Sequence, residues 1–161
     1  MKQLIIFSAL FFGFLTCTPA QPAIGSKAPD ISLPDVNGQV IKLSSLRGKV
    51  VVIDFWASWC GPCRQANKTM KGLYEKYKDK GLEVYGVSLD ENENAWKHAI
   101  NKDKLPWLQV IDKYATGGNE LTRTWGINYI PYTFIIDKEG NVVAGDVQEG
   151  QLGKWLKKVL R

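Results

Sequence analysis

VVVIDFWASWCGPC, residues 50–63, is the stretch of sequence that decides the fold. It opens with four β-branched residues, a pattern typical of a strand buried on both faces of a parallel or mixed sheet. Asp54 interrupts this apolar run, and a long segment of helical character follows Cys63. The sequence therefore predicts a strand, a short turn and a helix, with Cys60 and Cys63 at the start of the helix.

The spacing of these two cysteines suits thiol–disulfide exchange. The thiolate is the attacking species, and the N-terminus of a helix stabilises negative charge. We therefore expect Cys60 to be exposed and to attack, and Cys63, one turn further along the same face, to be shielded and to resolve a mixed disulfide. Gly61 leaves the approach to Cys60 open. Pro62 suits the first helical turn, where its missing N–H has no intrahelical partner.

A static disulfide and half of a zinc site are the alternatives for this cysteine pair. A zinc site normally needs further Cys or His ligands, and the rest of the sequence offers only Cys17 and His98. His98 is predicted to lie on the solvated face of a helix. We therefore expect a redox-active disulfide between Cys60 and Cys63, with no metal and no organic cofactor.

The segment DFWASWCGPCR, residues 54–64, resembles the active site of thioredoxin. The chain around it, from about residue 24 to the C-terminus, is similar to the exported, membrane-tethered TlpA/ResA branch of the thioredoxin superfamily. The resemblance implies an α/β thioredoxin fold for residues 24–161. Its features are a mixed central β-sheet, helices on both faces and an added N-terminal β-hairpin. It also implies that Asp54 helps to move a proton during catalysis.

Residues 1–20 have the features of a secretory signal peptide. Lys2 precedes the apolar run LIIFSALFFGFL, residues 4–15, which is too short to span a bilayer comfortably and fits the apolar region of a signal. Cleavage at the small residues 18–20 is one processing route. Acylation of Cys17 as the first residue of a lipoprotein is the other, although Thr16 is larger than the residues usual at that position. We expect the protein to be exported to the periplasm or to the outer face of a bacterial membrane.

Composition excludes several other classes of protein. The chain of 161 residues, less its signal peptide, suffices for one compact domain. The formal net charge of +5 is modest and spread along the chain apart from a C-terminal cluster, so nucleic-acid binding is not expected. The predicted domain holds only the Cys60/Cys63 pair, which is too few cysteines for a disulfide-stapled scaffold.

Turn signals divide the rest of the chain. Asn37-Gly38 between two apolar segments predicts a β-hairpin, and Gly81 is predicted to end the helix that carries the cysteines. A strand over residues 82–89 follows, then a helix to about residue 102 capped by residues 90–93. A short strand near residues 106–111 and a short helix from residue 120 to 125 complete the region before Ile130. By resemblance, residues 91–126 hold the insertion of the TlpA/ResA group, where partner specificity is expected to lie.

Ile130-Pro131 is the second landmark. A proline at the start of the β-branched strand after it is tolerated only where it breaks no ladder hydrogen bond. A simple strand-start proline is one interpretation. The other is the cis-proline loop of the superfamily, which faces the cysteines and whose preceding residue pairs with the substrate backbone. On this resemblance, Trp59, Gly61 and Pro62 join Ile130 and Pro131 as predicted substrate-binding residues.

Three departures from the family pattern concern proton transfer. ResA-like proteins commonly carry a glutamate three residues after the second cysteine and a proline shortly beyond, whereas this chain has Ala66 and no proline there. They often have asparagine where this chain has Asp54. The lysine that accompanies the buried aspartate of thioredoxin would fall near Gly86, so Asp54 is expected to lack that partner.

The resemblance and the motifs together predict an exported, monomeric thiol–disulfide oxidoreductase that reduces its targets. A membrane thiol donor of the CcdA/DsbD type would supply electrons, and disulfide-bearing exported proteins such as apocytochromes c would receive them. A disulfide oxidase or isomerase is the first alternative. A thioredoxin-fold peroxidase is less favoured, because its reactive cysteine would lie in a Pro/Thr-containing loop. A binding module would be expected to have lost a cysteine or Pro131.

Overall fold

The structure is a computed structural model that describes residues 21–115 and 117–160. The predicted signal peptide and Cys17 lie outside these residues. The strands are β1 (Ser32–Pro34), β2 (Val40–Lys42), β3 (Val50–Trp56), β4 (Leu82–Ser88), β5 (Leu108–Ile111), β6 (Tyr132–Ile136) and β7 (Val142–Ala144), and the helices are α1 (Gly61–Tyr77), α2 (Glu93–Asp103), α3 (Glu120–Trp125) and α4 (Glu149–Val159).

The central sheet has five strands in the order β5-β4-β3-β6-β7. β3 is the middle strand, pairs parallel with β4 and antiparallel with β6, and is buried along its whole length. This position explains its continuous apolar sequence, because a central strand is covered on both faces. The predicted mixed sheet is confirmed, and β1 and β2 form the predicted antiparallel hairpin as a separate small sheet.

Alternate residues of β3 point into two different cores. Val50, Val52 and Trp56 belong to the core that is covered by α1, α2 and α4. Val51, Ile53 and Phe55 belong to the core on the other face, which is covered by α3 and by residues of the hairpin region. Asp54 is in register with the first set, so this carboxyl group lies on the face of the sheet that carries α1.

Helix α1 begins immediately after Cys60, as the sequence predicts, with Pro62 in its first turn. A 3-10 segment over Lys78–Lys80 extends it to Gly81, whose left-handed φ of 92° ends the helix. α4 packs against α1 through the buried Leu152 and Leu156. The start of α4 is thereby held close to the first turns of the helix that carries the cysteines.

The region between β4 and β6 contributes α2, β5 and α3. α3 ends at Gly126, the predicted position, with a φ of 64°. The predicted capping of α2 by residues 90–93 is only partly correct. Asn92 is the N-cap, since its side chain accepts the backbone N–H of Ala95. Asp90 lies before the helix and is bonded elsewhere, to serines near the cysteines.

Candidate active site

Cys60 and Cys63 form a disulfide across the first turn of α1, with an S–S distance of 2.05 Å. The backbone N–H of Cys63 donates to Cys60 Sγ at 3.2 Å, so Cys60 is the N-cap of the helix. The first turn contains no acidic residue. Both the free helical N–H groups and the helix dipole therefore favour negative charge on Cys60 when the disulfide opens.

The expectation that Cys60 is exposed is wrong for this oxidised form. Cys60 is 6% exposed and Cys63 is 1% exposed, and both belong to the core beneath α1. The bond to Cys63 and the cap of the helix hold the sulfur of Cys60 against the protein. The order of accessibility is still the predicted one, with Cys60 the more accessible of the two.

Asp90 holds the turn that leads into Cys60. Its carboxylate accepts the backbone N–H of Ser58 at 2.8 Å, the Ser58 hydroxyl at 2.6 Å and the Ser88 hydroxyl at 2.7 Å. Asp90 is 2% exposed, so these charge-assisted hydrogen bonds are shielded from water. They fix the end of β3 to the end of β4 two residues before Cys60.

An ion pair fixes the other end of the cysteine turn. Arg64 follows Cys63 directly, and its guanidinium donates two hydrogen bonds of 2.6 Å to the carboxylate of Asp103. These hydrogen bonds from Arg64 lower the pKa of Asp103. Lys71 also donates to the Asp103 backbone carbonyl at 2.9 Å. Two contacts, about two turns apart on α1, thus hold the active-site helix against the end of α2.

Asp54 is 3% exposed, and burial raises its pKa to about 7. The Thr133 hydroxyl on the neighbouring strand β6 donates to Asp54 Oδ1 at 3.4 Å, a long hydrogen bond that offsets only part of this effect. A carboxyl group taken out of water without a nearby cation prefers its neutral form. Asp54 is therefore a buried carboxyl group that is protonated more readily than a carboxyl group in water.

Gly86, near which the family resemblance places the lysine of thioredoxin, is the residue paired with Asp54 on β4. The side chain of Gln109, from β5, covers Gly86. A Cβ atom at Gly86 would lie 2.6 Å from Gln109 Oε1. That oxygen accepts a hydrogen bond of 3.1 Å from Trp56 Nε1. The space beside Asp54 that a lysine would need is thus filled by a neutral amide, which sequence reasoning did not identify.

The Ile130–Pro131 peptide bond is cis, as predicted. Pro131 lies near the cysteine turn, because it lines the same cavity as Pro62 and Asp54, a cavity of about 160 Å³. Ile130 packs against the core that contains Cys60. The structure therefore brings these predicted residues to one region, at the start of α1.

Trp59 and Gly61 complete the surface next to Cys60. Trp59 is 69% exposed, an unusual value for a tryptophan. Gly61 is exposed, and an added Cβ there would meet nothing within 4 Å, which agrees with an open approach to Cys60. Tyr129, which the sequence analysis did not select, adds a second aromatic side chain that is 53% exposed, one residue before Ile130.

Among the described residues there is no group of three or more His, Cys, Asp or Glu side chains able to hold a metal ion. His98 is exposed on α2. No helix in the described part of the chain is long and apolar enough to cross a membrane.

Comparison with known proteins identifies the family. The AhpC/TSA family model matches residues 24–144. The thiol-disulfide oxidoreductase ResA of Bacillus anthracis is 38% identical over 139 residues, covering 84% of this chain and 78% of that protein. ResA of Bacillus subtilis strain 168 is 31% identical over 138 residues, covering 86% and 72%.

Solved structures agree with this assignment. The thioredoxin domain of a thiol-disulfide oxidoreductase from Bacteroides vulgatus matches with a TM-score of 0.80 and 34% identity, covering 86% of this chain and 99% of that one. A thiol-disulfide oxidoreductase from Bacteroides fragilis matches with a TM-score of 0.76 and 34% identity, covering 83% and 98%. The chain belongs to the AhpC/TSA family of the thioredoxin superfamily, and it is a thiol-disulfide oxidoreductase similar to ResA.

Proposed function

We propose that this protein is exported and reduces disulfide bonds of other exported proteins, with Cys60 as the nucleophile and Cys63 as the resolving cysteine. The observation that carries the proposal is the Cys60–Cys63 disulfide at the N-terminus of α1. An apolar signal-like segment at residues 4–15 supports export.

The reaction runs in two exchange steps. The Cys60 thiolate attacks one sulfur of the substrate disulfide, the substrate S–S bond breaks, and the departing thiolate takes a proton from solvent. Cys63 then gives up its proton and attacks Cys60 Sγ. The Cys60–Cys63 bond forms, and the second substrate thiolate leaves and is protonated. The substrate gains two electrons and two protons, and the active site becomes the disulfide.

Asp54 is proposed to accept the proton that Cys63 gives up in the second step. Its carboxyl group lies on the α1 face of the sheet and lines a cavity. Pro62, the residue directly before Cys63, lines the same cavity. Burial raises the pKa of Asp54 to about 7, so both charge states are accessible near neutral pH. A group with its pKa near the working pH is well suited to accept a proton and release it again.

Trp59, Gly61, Pro62, Ile130 and Pro131 are proposed to bind the substrate chain. Trp59 offers exposed apolar surface directly beside Cys60. By resemblance to the family, the backbone of Ile130 pairs with an extended substrate segment, a form of strand addition in which main-chain hydrogen bonds supply affinity. Such pairing places little demand on the substrate's side chains.

A substitution at Trp59 tests the binding surface. Trp59→Ala should raise the KM for a disulfide-bonded peptide with little effect on the maximal rate of a saturated reaction. Tyr114→Ala is the matched control, because Tyr114 is also an exposed aromatic residue, at 83% exposure, on the loop after β5. Equal effects of the two substitutions would argue against a specific role for Trp59.

The direction of the reaction is proposed from the Gly61-Pro62 pair, which is the thioredoxin pair. Thioredoxin has a reduction potential of about −270 mV, protein disulfide isomerase one of about −180 mV and the oxidant DsbA one of about −120 mV. For this two-electron couple, a tenfold change in the equilibrium constant corresponds to about 30 mV. The first and last of these potentials therefore differ by a factor of about 10⁵ in the equilibrium constant. Equilibration with a thiol buffer measures the potential, and a value above about −180 mV would favour the oxidase or isomerase alternative.

A reductase in an oxidising compartment has to be reduced again after each turnover. We propose that a membrane thiol donor of the CcdA/DsbD type reduces the Cys60–Cys63 disulfide, and that disulfide-bearing exported proteins of the apocytochrome c kind are the substrates. A lipid on Cys17 would hold the domain near such a donor, whereas cleavage after Ala20 would release it. Mass spectrometry of the exported protein distinguishes the two forms.

Trapping identifies the partner directly. Cys63→Ser should accumulate a mixed disulfide through Cys60, and mass spectrometry of the trapped complex names the bound protein. Cys60→Ser is the matched control and should trap nothing. Consumption of hydrogen peroxide by the wild-type protein, without any disulfide substrate, would instead support the peroxidase alternative.

A further inference from the structure

A cavity of about 160 Å³ runs between the sheet, the first turns of α1 and the start of α4. Asp54 and Thr133 line it from the sheet, Ala66 and Thr69 line it from α1, and Glu149 lines it from α4. Asp54 is fully buried, whereas Thr69 and Glu149 are exposed. The cavity therefore leads from a buried carboxyl group to a second carboxyl group at the protein surface.

The cavity has the size and chemistry to hold a chain of water molecules. Each water occupies about 30 Å³ of liquid and is held by roughly two to four polar partners. The cavity volume of about 160 Å³ is several times the volume that one water occupies. The carboxyl groups of Asp54 and Glu149 and the hydroxyl groups of Thr69 and Thr133 supply such partners along the wall. Ala66 leaves space between them, at the position where a larger side chain would narrow the passage.

Glu149 is held in place over the outer part of this cavity. It is the first residue of α4, and its carboxylate Oε1 accepts a hydrogen bond from the Thr69 hydroxyl of α1. A carboxylate in the first turn of a helix also suits the helix dipole. The preceding residue, Gln148, makes no side-chain cap to the helix. Glu149 is thus positioned by α1, at the same cavity that Asp54 lines.

Apart from Asp54 and Glu149, the charged side chains around this cavity do not line it. Asp54 and Glu149 are the titratable residues among those that line the cavity. Asp146, before α4, accepts the side-chain amide of Gln148 at 3.0 Å. Lys68 on α1 donates to Gln65 at 3.2 Å. Neither of these outer charges lines the passage.

We propose that Glu149 is a positioning residue that conducts the proton from Asp54 to solvent through water in this cavity. The inference rests on the proposed function, since that proton is the one Cys63 releases when it attacks Cys60. Asp54 takes the proton, passes it to a cavity water, and the water chain delivers one to Glu149, which releases it to bulk solvent. No electron moves in this transfer, and Asp54 returns to the carboxylate form for the next cycle.

A single-turnover experiment separates the affected step. The reduced full chain is mixed with excess disulfide-bonded peptide, and the tryptophan fluorescence follows formation and then resolution of the mixed disulfide. Glu149→Gln should slow resolution by about 10-fold and leave the initial attack unchanged within about 2-fold. The expected slowing is smaller than the roughly 100-fold minimum for a proton-transfer group that contacts the reacting atoms, because Glu149 acts only through Asp54. Glutamine still accepts the Thr69 hydrogen bond, so the fold around α4 is retained.

Two further measurements distinguish proton transfer from a structural role. Formate, a small carboxylic acid that can enter the cavity, should restore the resolution rate of Glu149→Gln and have little effect on the wild-type protein. Glu149→Asp should resolve at a rate closer to wild type. Glu120→Gln is the matched control, because Glu120 is also an exposed glutamate at the first position of a helix, α3, and its removal should leave both steps unchanged.

The outcomes test the relay and the proposed function separately. Equal slowing of attack and resolution in Glu149→Gln, or resolution at the wild-type rate, would overturn the relay. The proposed role of Asp54 fails if Asp54→Asn resolves the mixed disulfide as fast as wild type. The cysteine assignment fails if Cys63→Ser shows no trapped intermediate.

Discussion

Burial of Asp54 makes the stability of the folded protein depend on pH in a way that one substitution removes. The pKa of Asp54 is about 7 in the folded protein, against an ordinary value of 3.8. Between about pH 4 and pH 7 the folded state holds a proton that the unfolded state has released. The free energy of unfolding therefore falls as pH rises through this window. Below about pH 4 Asp54 is protonated in both states and does not change the free energy of unfolding. Above about pH 7 it is charged in both states, and the free energy of unfolding is lowered by the full cost of burying the charge.

The size of the loss follows from the two pKa values. The difference between about 7 and 3.8 corresponds to about 4 kcal/mol at 1.36 kcal/mol for each pKa unit. Asp54→Asn keeps the volume of the side chain and an oxygen that can accept the Thr133 hydroxyl, but it has no charge to desolvate. At about pH 8 this variant should be more stable than wild type by about 4 kcal/mol. Its advantage should shrink by about 1.4 kcal/mol for each pH unit below 7 and disappear near pH 4.

Urea unfolding of the oxidised protein over this pH range measures the effect. Asp90→Asn is the matched control, because Asp90 is a buried aspartate that accepts three hydrogen bonds from Ser58 and Ser88. It should lose stability at neutral pH by about 1.5–3 kcal/mol, the worth of a hydrogen bond to a charged group. If Asp54→Asn is destabilised in the same way, or its difference from wild type does not vary with pH, desolvation is not what sets the charge of Asp54.

Other substitutions give distinct expected results. Cys60→Ser should form no adduct with a disulfide-bonded peptide, whereas Cys63→Ser should form a stable one by non-reducing mass spectrometry, and the reverse pattern would exchange their roles. Gly86→Ala should lower the free energy of unfolding by about 1–3 kcal/mol, because its Cβ displaces Gln109 from the buried Trp56 hydrogen bond. In a Gln109→Met background the same substitution should cost less, and an undiminished loss would contradict this explanation.

Much of the fold follows from local sequence signals. The unbroken apolar run at the start of β3 predicts a strand covered on both faces, and β3 is the middle strand of five. Gly81 and Gly126 adopt positive φ angles at the ends of α1 and α3, which a residue without a Cβ does readily. Asn37-Gly38 predicts the hairpin. These features depend on residues that are neighbours in the chain, so the sequence carries the information directly.

The parts of the site that the sequence did not predict depend on residues far apart in the chain. Asp90 resembles a helix cap in its local sequence, yet two of its hydrogen bonds join it to Ser58, 32 residues earlier in the chain. Glu149 meets Thr69 across 80 residues, and Gln109 meets Trp56 across 53. No local periodicity or motif predicts such contacts. They are set by which strands are adjacent and by how α4 packs on α1, and these follow from the assembled fold.

Asp54 links the stability of the protein to its chemistry. Gly86 and Gln109 place a neutral surface where a cation would hold the carboxylate in its charged form, and the Thr133 hydrogen bond is long. Desolvation therefore dominates and raises the pKa of Asp54 to about 7. The same burial that lowers the stability of the folded state near neutral pH gives the group two accessible charge states at that pH. Asp54→Asn should consequently be both more stable and slower in resolving the mixed disulfide, a combination expected when a buried group serves activity at the expense of stability.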